Sequence, residues 1–367
     1  MKSILLALAL AVLAACSAND QGVERLDDVV LSPAAWADLP GWQADRLIDI
    51  RPALARSCER IAKLPANRSI GPDDIGGTAG EWQIICAQLL SAADGSFRDV
   101  VQQALMPVKV SGTQGGPTGL FTGYFEPSLA GSLTRGGIYQ TPIYGRPDDL
   151  VMVQLGSFRD DMRGRRIAGR VIDGRLQPFE ARAEIVDGAL PMDTPIIAWA
   201  ADPIDVFFLE IQGSGRINLP NGDQLRIGYA GQNGHPYVAI GRTLIAEGAL
   251  TRDTVSLQSI RQWLTDHPGD AQRVMNTNPS YVFFRIIEGD GPIGAEGVAL
   301  TPGRSLAVDR SLLPMGVPVF LDAADPLDPN QRLQRLMMAQ DTGGAIRGAV
   351  RGDVFWGSGA EAERRAG

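Results

Sequence analysis

The chain has 367 residues and a formal net charge of −8, which excludes the basic surface that nucleic acid requires. Only 21% of its residues are charged, while Gly (43) and Pro (24) are frequent, so short strands and many turns are expected and a helical bundle is excluded. Two histidines, three cysteines and no CxxC exclude a His/Cys metal centre, and no cofactor is expected.

Lys2 precedes an unbroken apolar run, Ile4 to Ala15, which is too short to span a bilayer and leads directly into Cys16. Leu13-Ala14-Ala15-Cys16 resembles a bacterial lipobox. Residues 1–15 therefore read as a signal peptide and Cys16 as an acylated N-terminus, with an ordinary signal peptide as the alternative. Ser17, where Asp would signal inner-membrane retention, favours the outer membrane, facing the periplasm of a Gram-negative bacterium. Residues 16–45 read as a tether. In an oxidising periplasm Cys58 and Cys86 either pair or remain two buried thiols.

The spacing of Leu54, Ala55, Cys58, Ile61 and Leu64 predicts an amphipathic helix with Pro52 in its first turn, and Trp82 to Ala93 and Phe97 to Leu105 predict two more. From Gly119 the chain turns β-rich, with strands expected at Val151–Gln154, Pro195–Trp199, Val206–Ile211 and Leu225–Tyr229. Arg163, Arg165, Arg166, Arg170 and Arg175 form a basic stretch that reads as solvated strands and a hairpin tip. A weaker functional reading of that stretch is contact with carboxylates of murein peptide stems. Helices return at Tyr237–Glu247, Val255–Leu264 (with Thr254 as N-cap) and Asp270–Met275. Strands follow at Tyr281–Ile287, Gly303–Val308, Val317–Leu321, Leu336–Ala339 and Asp353–Trp356. This alternation implies one β domain inserted into another. Residues 46–122 and 236–367 would form the first, residues 123–235 the insert, and the crevice between them would suit a long ligand.

Three clusters carry polar chemistry: Phe121-Thr122-Gly123-Tyr124-Phe125-Glu126-Pro127; Glu210-Ile211-Gln212-Gly213-Ser214-Gly215-Arg216 with Gly228-Tyr229-Ala230-Gly231-Gln232-Asn233-Gly234; and a C-terminal set around Asp309, Asp341 and Asp353. Gly213-Ser214-Gly215 lacks the Lys of a phosphate loop and does not fit a nucleophile elbow. His235 and His267 sit in turns and read as structural.

Together these clusters resemble the membrane-bound lytic murein transglycosylase A family, from about residue 50 to the C-terminus. The longest matches are Asp205 to Arg216 and Asn278 to Arg285, and the C-terminal third is similar to the domain named for its three aspartates. The resemblance implies a mainly β fold with α: a double-psi β-barrel with N-terminal helices, an inserted second β-barrel, and a glycan groove between them. The family usually continues past the point where this sequence stops, with a further strand closing the barrel.

The implied reaction is cleavage of the β-1,4 bond between N-acetylmuramic acid and N-acetylglucosamine of peptidoglycan, leaving 1,6-anhydromuramic acid ends during wall turnover and remodelling. Ordinary glycosidases need two carboxylates. Here the nucleophile is the substrate's own C6 hydroxyl, whose effective molarity of about 10⁵ M or more leaves one proton donor sufficient.

By the resemblance that donor is Asp353, with Asp341 beside it and Asp309 structural. Phe355, on the same strand face, and a nearby Asp341 would both raise the affinity of Asp353 for its proton. Tyr124, Gln212, Ser214, Tyr229, Asn233 and Trp356 are candidate glycan contacts, and Glu126 and Glu210 lesser ones. Partners implied are peptidoglycan strands, the outer membrane through the lipid, and cell-wall synthases or scaffolds. A hydrolytic glycosidase and a non-catalytic glycan-binding lipoprotein are the competing readings.

Overall fold

The computed structural model describes residues 29–366, apart from 114, 115, 163, 164 and 290. The signal peptide, Cys16 and Arg163 lie outside the described residues.

The tether expected to reach residue 45 has given way to packed structure by residue 29. Strand β1 (Val29–Pro33) pairs with a later strand, and Trp42 and Asp45 are both buried. Three helices follow near the expected positions. Helix α1 (Arg51–Ile61), with Pro52 in its first turn, buries Ala53, Leu54, Cys58 and Ile61. Helix α2 (Ala79–Ser91) opens with a reciprocal cap: the Glu81 carboxylate accepts from Thr78 N–H at 2.8 Å and the Thr78 hydroxyl accepts from Glu81 N–H at 3.4 Å. Helix α3 (Phe97–Ala104) buries Phe97 and Val101.

Cys58 and Cys86 are joined as a disulfide that ties α1 to α2. Closing a loop of 28 residues constrains the unfolded chain by about 3–4 kcal/mol. The double variant Cys58→Ala/Cys86→Ala should lose about that much stability in urea unfolding. Reductant should lower the wild type to the same midpoint and leave the variant unmoved.

Strand β2 (Val108–Gly112) returns antiparallel to β1. Next come β3 (Leu120–Glu126), β4 (Ser128–Ser132), β5 (Thr141–Tyr144), β6 (Val151–Gln154), β7 (Arg166–Ile172), β8 (Arg175–Pro178), α4 (Arg182–Val186), β9 (Ile196–Ala200) and α5 (Pro203–Gln212). The last of these overturns an expectation, because Val206–Ile211 is helical and not extended. Asp202 caps Ile204 N–H at 2.8 Å, Pro203 fills the first turn, and Gly213 ends the helix at φ 77°. Those boundary signals, with burial of Val206 through Glu210, outweigh the β preference of a Val-Phe-Phe run.

The chain continues through β10 (Ser214–Asn218), β11 (Gln224–Gln232), α6 (Ile240–Ala246), α7 (Leu257–Asp266), α8 (Pro268–Met275) and β12 (Val282–Ile286). Ser256 caps α7, not Thr254 as expected: its hydroxyl accepts from Ser259 N–H at 3.1 Å. Last come β13 (Ser305–Val308), β14 (Pro318–Ala324), β15 (Arg332–Asp341), β16 (Arg351–Ser358) and α9 (Ala360–Ala366).

Two large sheets organise these mixed α/β elements. A six-stranded sheet runs β12-β11-β10-β4-β9-β5 around Leu129, Ile143, Leu209, Ile217, Ile227 and Phe284, and a parallel bridge from Gly145 to Phe284 links its two edges. Because β12 pairs with β11 along its length and α6 and α8 share a buried core with α5, this body extends through Ile286. Strand β12 thus lies in one sheet with strands of the insert expected at residues 123–235, and β3, which straddles the boundary expected between 122 and 123, pairs with β16 in the other sheet. Sequence periodicity defines elements but not their partners.

The other sheet runs β14-β15-β13-β16-β3, parallel at β13–β15 and at β16–β3, and curls into half a barrel. Leu306, Val308, Leu321, Met337 and Val354 fill its inside, while Leu336 and Met338 of β15 pack outward on α1–α3. Helix α9 packs against β3 and β16 with Ala362 buried. No helix among the described residues is long and apolar enough to cross a membrane.

Candidate active site

Strand register assembles the site on one face of the half-barrel. Asp353 in β16 lies beside Thr122 in β3 on one side and Ala307 in β13 on the other. A bulge between Leu306 and Ala307 then brings Asp341 of β15, in place of Gln340, into register with Ala307. A row Asp341–Ala307–Asp353–Thr122 therefore crosses four strands. The small Ala307 separates two acids whose backbones stand about 10 Å apart, two strand spacings.

Along β16 the alternation of side chains adds Arg351 and Phe355 to this face, opposite Leu120 and Tyr124 of β3. Phe355 is buried and packs under Tyr124 with ring centres 5.3 Å apart.

The hydrogen bonds have a direction. Arg351 Nη2 donates to Thr122 Oγ1 at 3.0 Å, and Thr122 Oγ1 donates to Asp353 Oδ1 at 2.8 Å. Arg351 can only donate, so against the ionised carboxylate the Thr122 hydroxyl hydrogen points at Oδ1. Asp353 Oδ2 has no hydrogen-bond partner among the described residues. Burial pushes the Asp353 carboxyl up from 3.8 to about 6. The Thr122 hydroxyl and Arg351 oppose that rise, and the Asp341 charge adds to it.

Asp341 is in the opposite condition. Its Oδ1 accepts from Ala295 N–H and Thr342 N–H, each at 2.9 Å, and its Oδ2 accepts from the Tyr124 hydroxyl at 2.7 Å. Burial raises its pKa, with these three donors opposing. Burial, then the Asp341 charge, also pushes the Tyr124 phenol well above its ordinary value, so it remains a donor.

Of the other expected residues, Gln212 reaches this neighbourhood: at the end of α5, its Oε1 accepts from Phe125 N–H at 3.1 Å. Ser214 is buried at the start of β10. Tyr229 lies in β11 of the other sheet, beneath the Arg166 guanidinium. Asn233 is 1% exposed and its amide is fully engaged, donating to Glu180 O and Pro279 O and accepting from Tyr281 N–H, so it has nothing to offer a sugar. Trp356 faces away from Asp353. It packs with the barrel core, and Arg365 and Arg335 lie over its ring. Gly123 permits that packing, since a Cβ there would sit 2.4 Å from the indole nitrogen.

Glu126 and Glu210 are buried acids held in ion pairs. Glu126 meets Arg216 (2.7 Å) and Arg226 (2.9 Å). Glu210 meets Arg182, yet burial still pushes it up to about 7. Asp309 accepts from the Ser311 hydroxyl at 2.6 Å and from Gly348 N–H at 3.0 Å, as a turn-former does. His235 bonds to Phe179 O, and His267 stacks on Trp263. Among the described residues no three His, Cys, Asp or Glu side chains converge as a metal site.

Sequence reasoning gave no role to Thr122, Arg351 or the Ala295 N–H. Arg351 was within reach of it, standing two residues before Asp353 on one strand face. Thr122 and Ala295 needed the strand pairing and loop placement that only folding supplies.

Residues 120–285 match the MltA specific insert domain and residues 304–367 the 3D domain. The chain is 31% identical to the membrane-bound lytic murein transglycosylase A of Escherichia coli strain K12, across 100% of this chain and 92% of the relative. A crystal structure of the membrane-bound lytic murein transglycosylase from Agrobacterium tumefaciens superposes with a TM-score of 0.81 at 36% identity, covering 92% of this chain and 94% of that one. E. coli MltA with bound chitohexaose gives a TM-score of 0.65 at 27% identity, covering 94% and 89%.

Proposed function

The chain belongs to the membrane-bound lytic murein transglycosylase A family, and from that premise we infer that it is a peptidoglycan lytic transglycosylase with Asp353 as its single catalytic acid. One observation carries the assignment of the acid. Of the two acids in the row, Asp353 combines a raised proton affinity with an oxygen that has no partner among the described residues, while both oxygens of Asp341 accept hydrogen bonds, three in all.

In the reaction, Asp353 Oδ2 gives its proton to the glycosidic oxygen as the bond to C1 of N-acetylmuramic acid breaks. The C6 hydroxyl of the same sugar closes on C1, and its proton passes to the carboxylate, so the acid is regenerated without water. Asp341 supports this from a distance: its charge raises the proton affinity of Asp353, and its Oδ2 fixes the Tyr124 hydroxyl. Tyr124 and Gln212 are the sugar contacts nearest the acid.

The half-barrel, with its two parallel pairs, is read as the main part of a double-psi barrel. The six-stranded sheet, linked at its edges by the Gly145–Phe284 bridge, is read as the second barrel, with the glycan in the groove between. A cell-envelope location follows from the family, and acylation of Cys16 at the outer membrane is the anchor proposed.

Purified protein incubated with murein sacculi should release fragments with anhydro ends. Fragments with reducing ends would instead mean hydrolysis, and no fragments would mean a binding protein. The pH profile tests the site itself. With a pKa of about 6, only about a tenth of Asp353 is protonated at pH 7, so turnover should fall as pH rises through 6. Thr122→Val removes a donor to the carboxylate and should move that limb to higher pH. Asp341→Asn removes a negative neighbour and should move it lower. Shifts in the same direction would sink this electrostatic account.

A further inference from the structure

A cavity of about 50 Å³ opens between β7, which pairs with β6 and β8 in a three-stranded sheet, and β11 of the six-stranded sheet, neither of which carries Asp353. It is lined by the apolar Met152, Ile167 and Ala168 together with Arg166, Tyr229 and Gln232. About 10–15 Å³ of such space holds one water, so the cavity admits a group of several heavy atoms.

Its hydrogen-bonding character is one-sided. The Tyr229 hydroxyl is buried and forms no well-aligned hydrogen bond among the described residues, with the Arg166 guanidinium as its polar neighbour. Arg166 lies over the Tyr229 ring at 5.7 Å and donates to Gln232 Oε1 at 3.2 Å. Gln232 Nε2 is engaged by His235 O (3.1 Å) and Ser280 Oγ (2.7 Å). With the Gln232 acceptor already filled by Arg166, what remains open is the Tyr229 O–H and further Arg166 N–H groups. Arg166 forms no ion pair among the described residues, and the Arg146 side chain approaches the same place beside Gly231. Arg166 can only donate, so the buried phenol O–H is left without an acceptor, a costly arrangement that a ligand would relieve.

We propose that this cavity is a subsite for a carboxylate carrying a short aliphatic group, the terminal alanine of a murein peptide stem. The proposal rests on the peptidoglycan reading above and extends it from the glycan to the peptide. The carboxylate meets Arg166 and the Tyr229 hydroxyl, and the methyl group meets Met152, Ile167 and Ala168. The subsite adds affinity for stem-bearing strands and takes no part in bond cleavage.

The test compares stem-bearing glycan strands with the same strands stripped by an amidase. Wild-type kcat/KM should favour the stem-bearing substrate. In Arg166→Met that preference ratio should fall about tenfold, the value of one charge-assisted bond, and in Tyr229→Phe it should fall by less. Equal kcat/KM of wild type on both substrates would overturn the proposal, as would losses in the variants that are the same on both. N-acetyl-D-alanine titrated into the full chain supplies a second readout, independent of catalysis. It should perturb the NMR signals of Tyr229 and Ala168 in the wild type but not in Arg166→Met, and absence of any perturbation would overturn the subsite. If neither substrate is cleaved while the titration succeeds, the transglycosylase reading fails and the carboxylate site stands.

Discussion

Asp353→Asn should lower the release of anhydromuropeptides by about 10²- to 10⁴-fold, the usual contribution of a positioned general acid. The substitution keeps the shape of the side chain, and its Oδ1 can still accept from Thr122, so the fold is retained. Only the proton at the outward position is lost.

A stability measurement makes the same variant a sharper test. The folded pKa of about 6 stands above the ordinary 3.8, so Asp353 binds its proton more tightly in the folded state. It therefore imposes no penalty below about pH 4. A penalty accrues as the pH rises towards 6 and is complete above that. Asp353→Asn, which carries no charge, should melt higher than wild type at pH 8 and at the same temperature at pH 4. A variant that lost activity and also lost stability at pH 8 would mark Asp353 as structural. Full activity in Asp353→Asn would remove it from the mechanism altogether.

The elements of this molecule were more legible in the sequence than their partners. Helical spacing around Leu54, Cys58 and Ile61, and the Val151–Gln154 strand, emerge where expected because burial on one face enforces the period. Val206–Ile211 misled because Val and Phe prefer strands, and the decisive signals were the Asp-Pro start and the glycine stop on either side. At the site, Asp353 and Asp341 could be named beforehand, but their relation could not. The bulge at Leu306/Ala307 sets that relation, and because it falls at the last residues of β15 no phase slip in the hydrophobic alternation can be read after it. Trp356 and Asn233 show the converse error. Aromatic and amide residues among glycines suit a sugar, yet they equally suit a tight core and a backbone clamp, and here packing took them.

Asp45 is the residue whose importance the sequence hid most fully, since it falls in a stretch that reads as tether. It is buried against Arg304, which meets both its carboxylate oxygens at 3.0 and 2.7 Å, and its Oδ2 also accepts from Leu336 N–H at 2.8 Å. The same guanidinium donates to Leu336 O and Arg46 O, both at 2.8 Å. One ion pair thus pins the segment before α1 to the strands β13 and β15 that carry the site row.

Arg304→Met should cost about 3–5 kcal/mol, because it strands a buried carboxylate without its counter-charge. Asp45→Asn/Arg304→Met should recover most of that loss: the charge is gone, and an amide oxygen can still accept from Leu336 N–H. Urea unfolding of the two variants and the wild type measures the difference. If Arg304→Met alone proved nearly neutral, the carboxylate would have to be solvated and the segment from Val29 only loosely held. The active-site row would then owe its position to the half-barrel alone. If the predicted loss and rescue are found, the segment from Val29 to Ile50 is part of the framework that holds the active-site row.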